Sequence, residues 1–370
     1  MLEVRYNNYI VVMILFLIIW LIRRLLMHSN IKNVITRKIS NVFCVILGLS
    51  PFIWLAGSRT VYEGTDTSFY ISASYYTKYL SYKYLFSNFP HVMIAGRKYQ
   101  YIETGYVIFN KIIVSVINNP ASVLYISAGI MIFNFGKFVK DNGVDLFLGM
   151  YIFLCEGIYL NSFNTMRQLL ALSILLNAFT QTKREKYVNA LVWVGIATLI
   201  HQSSIYFVLI LIAYRLLYML SEKNNGYFFF FLLLIPPVLK LLSYTEYSGY
   251  LTTNNLYEVS IGRIAILWIV IGVMYLINLH EYLRDKEMVF YGNMFLIYVI
   301  LQIMSLSITG AQRLSFYFEP FNILLIGRML AVRLEKSSIT KLFIVVILKF
   351  LIFILLFFLY ISYSKSLTIG

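Results

Sequence analysis

Two cysteines in 370 residues rule out a disulfide-stapled scaffold. Cys44 and Cys155 each sit inside an apolar run, without metal-ligand spacing, and read as small core residues. Charge is scarce too, at 13% of residues, where soluble domains carry about 25%. Acid is scarcer than base, with 16 Asp and Glu against 31 Lys and Arg. Of the 4 histidines, His28, His91 and His280 fall in loops without patterned neighbours, which leaves no ligand set for a metal. No Walker loop, no GxGxxG after a strand, no HExxH and no GxSxG is present. An ATP-driven transporter, a zinc membrane protease and a serine hydrolase all lose weight. No polar stretch is long enough to bury a core of its own. The first apolar run, Tyr9–Leu26, is too long for a signal-peptide core and lacks a small-residue cleavage site, so it is expected to stay as a span.

What the chain has is apolar length. Hydrophobic residues make up 60% and mean hydropathy is +0.76. Runs near the roughly 20 residues that cross a bilayer core of about 30 Å recur throughout. They are Tyr9–Leu26, Ser40–Ala56, Ala121–Val139, Val144–Leu160, Arg167–Gln181, Tyr187–His201, Ser204–Leu220, Tyr227–Ser243, Gly262–Leu279, Val289–Ile308, Leu314–Ala331 and Leu342–Ser362. The expected fold is all-α: one polytopic integral membrane helix bundle over residues 1–370, with about 12 transmembrane helices. The net charge of +15 then reflects the positive-inside bias and contact with anionic membrane lipid, not nucleic-acid binding.

Basic loops set the orientation. Arg23, Arg24, Lys32, Arg37 and Lys38 lie between the first two runs; Lys183, Arg184 and Lys186 form a second basic loop, and Arg328, Arg333, Lys336 and Lys341 a third. All three are expected on the cytoplasmic side. The loop Tyr244–Ser260 has Glu246 and Glu258 and no Lys or Arg, which suits the outside. The polar segment 58–104, which holds Glu63, Asp66 and Glu103, then also faces out. This scheme needs segment 105–118 to be a re-entrant or interfacial helix, since it is about a third short of a span. The alternative is a short tilted span, which would place the Lys183 loop outside.

Ionisable groups at a membrane edge are costly unless paired, hydrated or functional. Arg167 and Arg313 each open an apolar run. An Arg fork at a helix N-terminus can hold a phosphate; each could equally snorkel to the interface. His201 closes a run and is followed by Gln202-Ser203-Ser204; it could be a general base or a hydrogen-bonded interfacial histidine. Asp66 follows a glycine turn and could act chemically or cap a helix. Glu103 could act, or pair with Arg97 or Lys98 at a hydrated surface. Arg263 falls at the same expected outer level.

Several short boxes follow one another. Arg59, Gly64, Thr65, Asp66 and Tyr70 form Arg-x4-Gly-Thr-Asp-x3-Tyr; Glu103, Gly105 and Tyr106 form Glu-x-Gly-Tyr; Arg167, Gln168 and Ala171 form Arg-Gln-x2-Ala. His201, Ser203 and Ser204, then Arg313 and Tyr317, complete the series. In this order they resemble the EpsG group of Wzy-type polysaccharide polymerases across residues 59–317. The stretch between Tyr70 and Glu103 is longer than that pattern has.

The resemblance implies a glycosyltransferase of the bacterial cytoplasmic (inner) membrane with its active site on the periplasmic or extracellular side. It would join undecaprenyl-diphosphate-linked oligosaccharide units into O-antigen, capsule or exopolysaccharide, with no cofactor and no metal, and with a chain-length regulator protein as a further partner. On that reading His201 or Asp66 is the base and Glu103 orients the acceptor sugar. Arg167 and Arg313, supported by Arg59 and Arg263, bind the diphosphate; Tyr70, Tyr106, Gln168 and Tyr317 contact glycan. A flippase for lipid-linked sugars and a membrane acyltransferase acting on the glycan remain the alternatives.

Overall fold

Apolar sequence of this kind satisfies its backbone groups within helices, and the chain is overwhelmingly helical. The computed structural model describes residues 2–28, 34–94, 100–220, 261–305, 309–331 and 339–369. In chain order the helices are α1 (Leu2–His28), α2 (Val34–Gly57), α3 (Thr67–Thr77) and α4 (Tyr82–Ser87). Strands β1 (His91–Ile94) and β2 (Gln100–Glu103) follow. Then come α5 (Thr104–Ile117), α6 (Ser122–Asp141), α7 (Leu146–Cys155), α8 (Ile158–Asn161), α9 (Met166–Lys183) and α10 (Tyr187–Ile200). A 3-10 turn, Gln202–Tyr206, precedes α11 (Phe207–Leu220). The rest are α12 (Ile261–Ile277), α13 (Leu279–Tyr282), α14 (Lys286–Met304), α15 (Thr309–Ser315), α16 (Glu319–Ala331) and α17 (Ile339–Ile369).

Among the described residues, five helices are long and apolar enough to cross a membrane: Tyr6–Met27, Val34–Gly57, Ser122–Asp141, Lys286–Met304 and Lys341–Leu367. Each coincides with an apolar run read from the sequence. The other runs among the described residues give shorter helices. The run Val144–Leu160 is broken after Cys155, where Gly157 takes φ +97° and the chain restarts as α8. The run beginning at Leu314 starts its helix only at Glu319. Pro320, which lacks an N–H to give, fits the first turn of α16. The expected span Tyr227–Ser243 and loop Tyr244–Ser260 lie outside the described residues.

The chain groups into two compact units: residues 1–138, 159–205 and 361–370, and residues 139–158 and 206–360. In the first, α1 and α2 pack as an antiparallel pair. Phe16 meets Phe52 edge-on at 5.8 Å, Phe52 meets Tyr159 at 5.6 Å, and the Tyr159 hydroxyl donates to the Phe52 carbonyl at 2.6 Å. Helices α9 and α10 lie along each other across a three-residue turn in which Glu185 takes φ +58°. In the second unit, Asp285 caps α14 by accepting from the backbone N–H of Glu287 and Met288, and Arg328 of α16 reaches both Asp285 and Glu287. Tyr291 stacks on Phe321, tying α14 to α16.

Among the described residues, the polar segment holds the one departure from an all-α reading. Strands β1 and β2 pair antiparallel with Val92 opposite Ile102 and Met93 opposite Tyr101. Val92 and Ile102 are fully buried while Met93 and Tyr101 face out, the two-residue alternation of a strand with one dry face. The hairpin ends on Glu103, and α5 starts at the next residue. Helix α5 is 14 residues long, about 21 Å at 1.5 Å per residue, and stops where Asn118 turns left-handed at φ 56°. Its Lys111 is buried and donates to the carbonyls of Thr77 and Lys78 at 3.4 and 3.3 Å. The cation thus sits on the negative end of α3, which is what makes its burial tolerable.

Glycine permits the approach of α5 to α10. A Cβ on Gly105 would come within 2.3 Å of the Leu199 carbonyl oxygen. Backbone cannot give way as a side-chain tip can, so Gly105→Ala should lower stability by about 1–3 kcal/mol through overpacking. Gly195, also helical, has open space at its Cβ position, and Gly195→Ala should instead be neutral or stabilising by up to about 1 kcal/mol. Thermal unfolding of the two variants in detergent checks the opposite signs.

Candidate active site

The first unit brings Glu103, Arg167 and His201 together. Arg167 and His201 lie 64 and 98 residues beyond Glu103 in the chain. Each is set by a local device. Glu103 is fixed by the last hairpin pair, opposite His91, and by the Thr104 N–H donating to the Pro90 carbonyl at 2.8 Å. Arg167 is the second residue of α9. His201 ends α10 in an extended conformation, as the sequence suggests, with its N–H still bonded to the Ala197 carbonyl at 2.9 Å.

Glu103 is the hub. Its Oε2 accepts from Arg167 Nη1. Its Oε1 accepts from the Gln202 backbone N–H at 3.3 Å and lies 2.8 Å from His201 Nδ1. Glu103 therefore pairs inward across the fold; Arg97 and Lys98, the surface partners considered from sequence, lie outside the described residues. Burial alone would push this carboxyl up. The hydrogen bond from His201 and the charges of Arg167 and His201 outweigh that and hold it down at about 2. Glu103 is thus an anion throughout the neutral range.

The start of α9 has its own scaffold. Thr165, at the cap position, makes no capping bond; its hydroxyl donates to the Asn161 carbonyl. Tyr70 takes over that job. Its hydroxyl accepts from the Met166 N–H at 3.1 Å and donates to the Asn164 carbonyl at 3.0 Å, satisfying one of the donors a helix start leaves open. Tyr70 and Tyr106 are both buried and meet edge-on at 6.4 Å. Their faces pack inside the unit, where the sequence reading had them touching glycan. Gln168 is likewise buried.

Arg59 is buried and braced. Its Nε donates to the Thr67 hydroxyl at 3.1 Å, Nη1 to the Ala56 carbonyl at 3.1 Å and Nη2 to the Met166 sulfur at 3.4 Å, while the guanidinium lies 4.6 Å from the centre of the Phe163 ring. Desolvation lowers its pKa from the ordinary value. Asp66 occupies the cap position of α3 but makes no capping bond; it accepts from the Thr65 hydroxyl at 3.2 Å. Arg167 retains a 22% exposed side chain, 5.9 Å from the Phe69 ring.

The remaining candidates belong to the second unit. Arg313 lies in the last turn of the short helix α15, not at a helix start, because α16 begins six residues later at Glu319. Tyr317 is buried against Phe207, with ring centres 6.4 Å apart. The side chain of Arg263 lies outside the described residues.

Sequence reasoning passed over four residues. In the first unit Glu63 is buried, accepting from the Tyr9 hydroxyl at 2.9 Å and the Thr60 N–H at 2.7 Å. Asn164 accepts from the Thr65 N–H at 2.7 Å and so locks the Gly64 turn, φ +81°, against the start of α9. In the second unit Glu156 and Glu319 are buried, each with one carboxylate oxygen unpartnered among the described residues. The available signal was a carboxylate inside an apolar run.

A carboxylate between an arginine and an imidazole can hold the ring in one tautomer and support positive charge on it, the second and third members of a nucleophile–base–orienter series. Glu103→Gln tests the electrostatics. Its depressed pKa means that the stabilisation is full above the unfolded value near 4.5 and is lost as pH falls toward about 2. The difference in unfolding free energy between wild type and Glu103→Gln, on the order of 3 kcal/mol, should persist from pH 7 to 5 and close below pH 4.5, as denaturant titrations at each pH will show.

Comparison with known proteins agrees with the family resemblance read from the sequence. The model of the EpsG family matches residues 41–368. No curated protein and no solved structure matches. The matched range takes in every residue of the Glu103 cluster, all of the second unit and the first unit from residue 41 to 368. The chain belongs to the EpsG family.

Proposed function

We propose that this protein is a membrane glycosyltransferase that polymerises oligosaccharide units carried on undecaprenyl diphosphate. The site lies at the outer face of a bacterial cytoplasmic membrane, in a bundle of about 12 spans. Membership of the EpsG family and the apolar helices support a membrane protein of polysaccharide synthesis. The observation that carries the finer reading is the Glu103–His201 pair next to Arg167 at the head of α9.

The acceptor is a sugar hydroxyl on the incoming lipid-linked unit; the donor is the glycan on a second lipid diphosphate. With Glu103 on Nδ1, His201 acts through Nε2, taking the hydroxyl proton as the oxygen attacks the anomeric carbon. The bond from that carbon to the diphosphate oxygen breaks, and the leaving group keeps the electron pair. Arg167 meets the growing negative charge with donors beyond the one on Glu103. The first-turn N–H groups of α9 act in the same direction. Arg313 and Arg263, in the second unit, are kept as further candidates for holding phosphate. With both its oxygens engaged, Glu103 orients His201 rather than the acceptor sugar. Arg59 and Tyr70 hold the loop and helix start that present Arg167. Asp66 is kept as the alternative base.

His201→Ala, Arg167→Ala and Arg313→Ala should each abolish long-chain polymer while the protein stays in the membrane. In a reconstituted reaction, loss of the base should cost about 10²–10⁴ in rate. Tyr70→Phe, which removes only the hydroxyl that caps α9, should shorten the ladder without erasing it. A glycan gel reads all four; wild-type ladders from the first three variants would sink the assignment. Loss of all surface glycan, single units included, would instead indicate a flippase.

A further inference from the structure

Three residues before Arg167, Asn164 forms part of the wall of a cleft of about 290 Å³ in the first unit. The loop before α3 supplies Tyr62 and Thr65, and the first turn of α3 supplies Ser68; the end of α17 supplies Ser366 and Leu367. No lining side chain is charged.

We infer that this cleft is a subsite for one uncharged sugar ring of the lipid-linked glycan. The inference rests on the polymerase reading for the source of the sugar, and on the cleft's chemistry for its class. An arginine- or lysine-free wall does not suit phosphate, and a carboxylate-free wall does not suit a cation. What remains is a set of neutral donors and acceptors. The Asn164 side-chain oxygen accepts from the Thr65 N–H, which fixes the amide so that its NH2 is left to donate. The Ser68 and Tyr62 hydroxyls have no partner among the described residues. The Thr65 hydroxyl gives its hydrogen to Asp66, and the Ser366 hydroxyl gives its own to the Tyr363 carbonyl. Both oxygens therefore present lone pairs. Sugar hydroxyls both give and take hydrogen bonds and match such a mixture. Tyr62 is 74% exposed and offers an aromatic face to the C–H side of a ring, with Leu367 as a second apolar contact.

The wall is also preorganised. A Cβ on Gly64 would lie 2.6 Å from the Asn164 side-chain oxygen, so the glycine turn is seated directly on Asn164. Less ordering is needed when a ligand arrives. The volume is at the lower end of small-molecule sites, which suits a single ring and not a whole repeat unit. Tyr70 and Tyr106, buried in the same unit, are replaced as the glycan contact by this open surface.

The test uses the full chain in nanodiscs and oligosaccharide released from the host's own surface polysaccharide, read by saturation-transfer NMR. Wild type should bind, and Ser68→Trp and Ser366→Trp, which fill the cleft, should each weaken binding at least tenfold. Tyr62→Ala, a truncation on the exposed loop, should weaken it severalfold without touching the fold, as a thermal midpoint matching wild type will show. Undiminished binding in Ser366→Trp and Tyr62→Ala, or no binding by wild type at millimolar sugar, overturns the subsite. Polymer formed by wild type alongside that result leaves the polymerase reading standing. Binding lost in the variants with no polymer formed by wild type supports the cleft and sinks the polymerase reading instead.

Discussion

The first unit turns on one carboxylate. Glu103 is buried where an unpaired anion would be untenable, and it is held there by a guanidinium, an imidazole and a backbone N–H that come from two other parts of the chain. Removing any one leaves the others with charge or hydrogen-bonding capacity that the surrounding apolar helices cannot absorb. The hairpin, the close glycine contact at Leu199 and the tyrosine that caps α9 all serve to bring these three groups to one point. Their geometry is over-determined, as a preorganised site requires.

The polar residues of this site were conspicuous in the sequence because so little else is polar. His201 at the end of an apolar run, Arg167 at the head of another and Glu103 before a glycine each carry a free-energy cost that has to be met locally. Their order along the chain was enough to suggest the family. Five long helices were equally plain from apolar length alone. What could not be read was pairing across distance. The resemblance implied a glycan contact at Tyr70; its hydroxyl bonds Asn164 and Met166, which lie 94 and 96 residues away. The resemblance implied that Arg59 supports the diphosphate site; its nitrogens are engaged by Thr67, Ala56 and Met166.

Local chemistry also hid the departures in the backbone. Two four-residue strands give too short an alternation to stand out among tyrosines and isoleucines. The break after Cys155 depends on one glycine with positive φ inside an otherwise unbroken apolar run. The displaced helix start near Arg313 depends on Pro320, which favours the first turn and so puts Arg313 on the previous helix. Each is a single-residue effect that outweighs an average over eighteen.

The spacing of the Glu103 cluster has a consequence for how the protein is made. The carboxylate leaves the ribosome first, and its partners follow 64 and 98 residues later, a delay on the order of ten seconds at ordinary synthesis rates. During that interval Glu103 has neither counter-ion nor imidazole, and only a two-stranded hairpin to hold it. A lone hairpin is marginal in water. The nascent segment therefore lacks its counter-ion until α9 is made and its imidazole until α10 is made. The cluster cannot be complete before residue 201 has been synthesised.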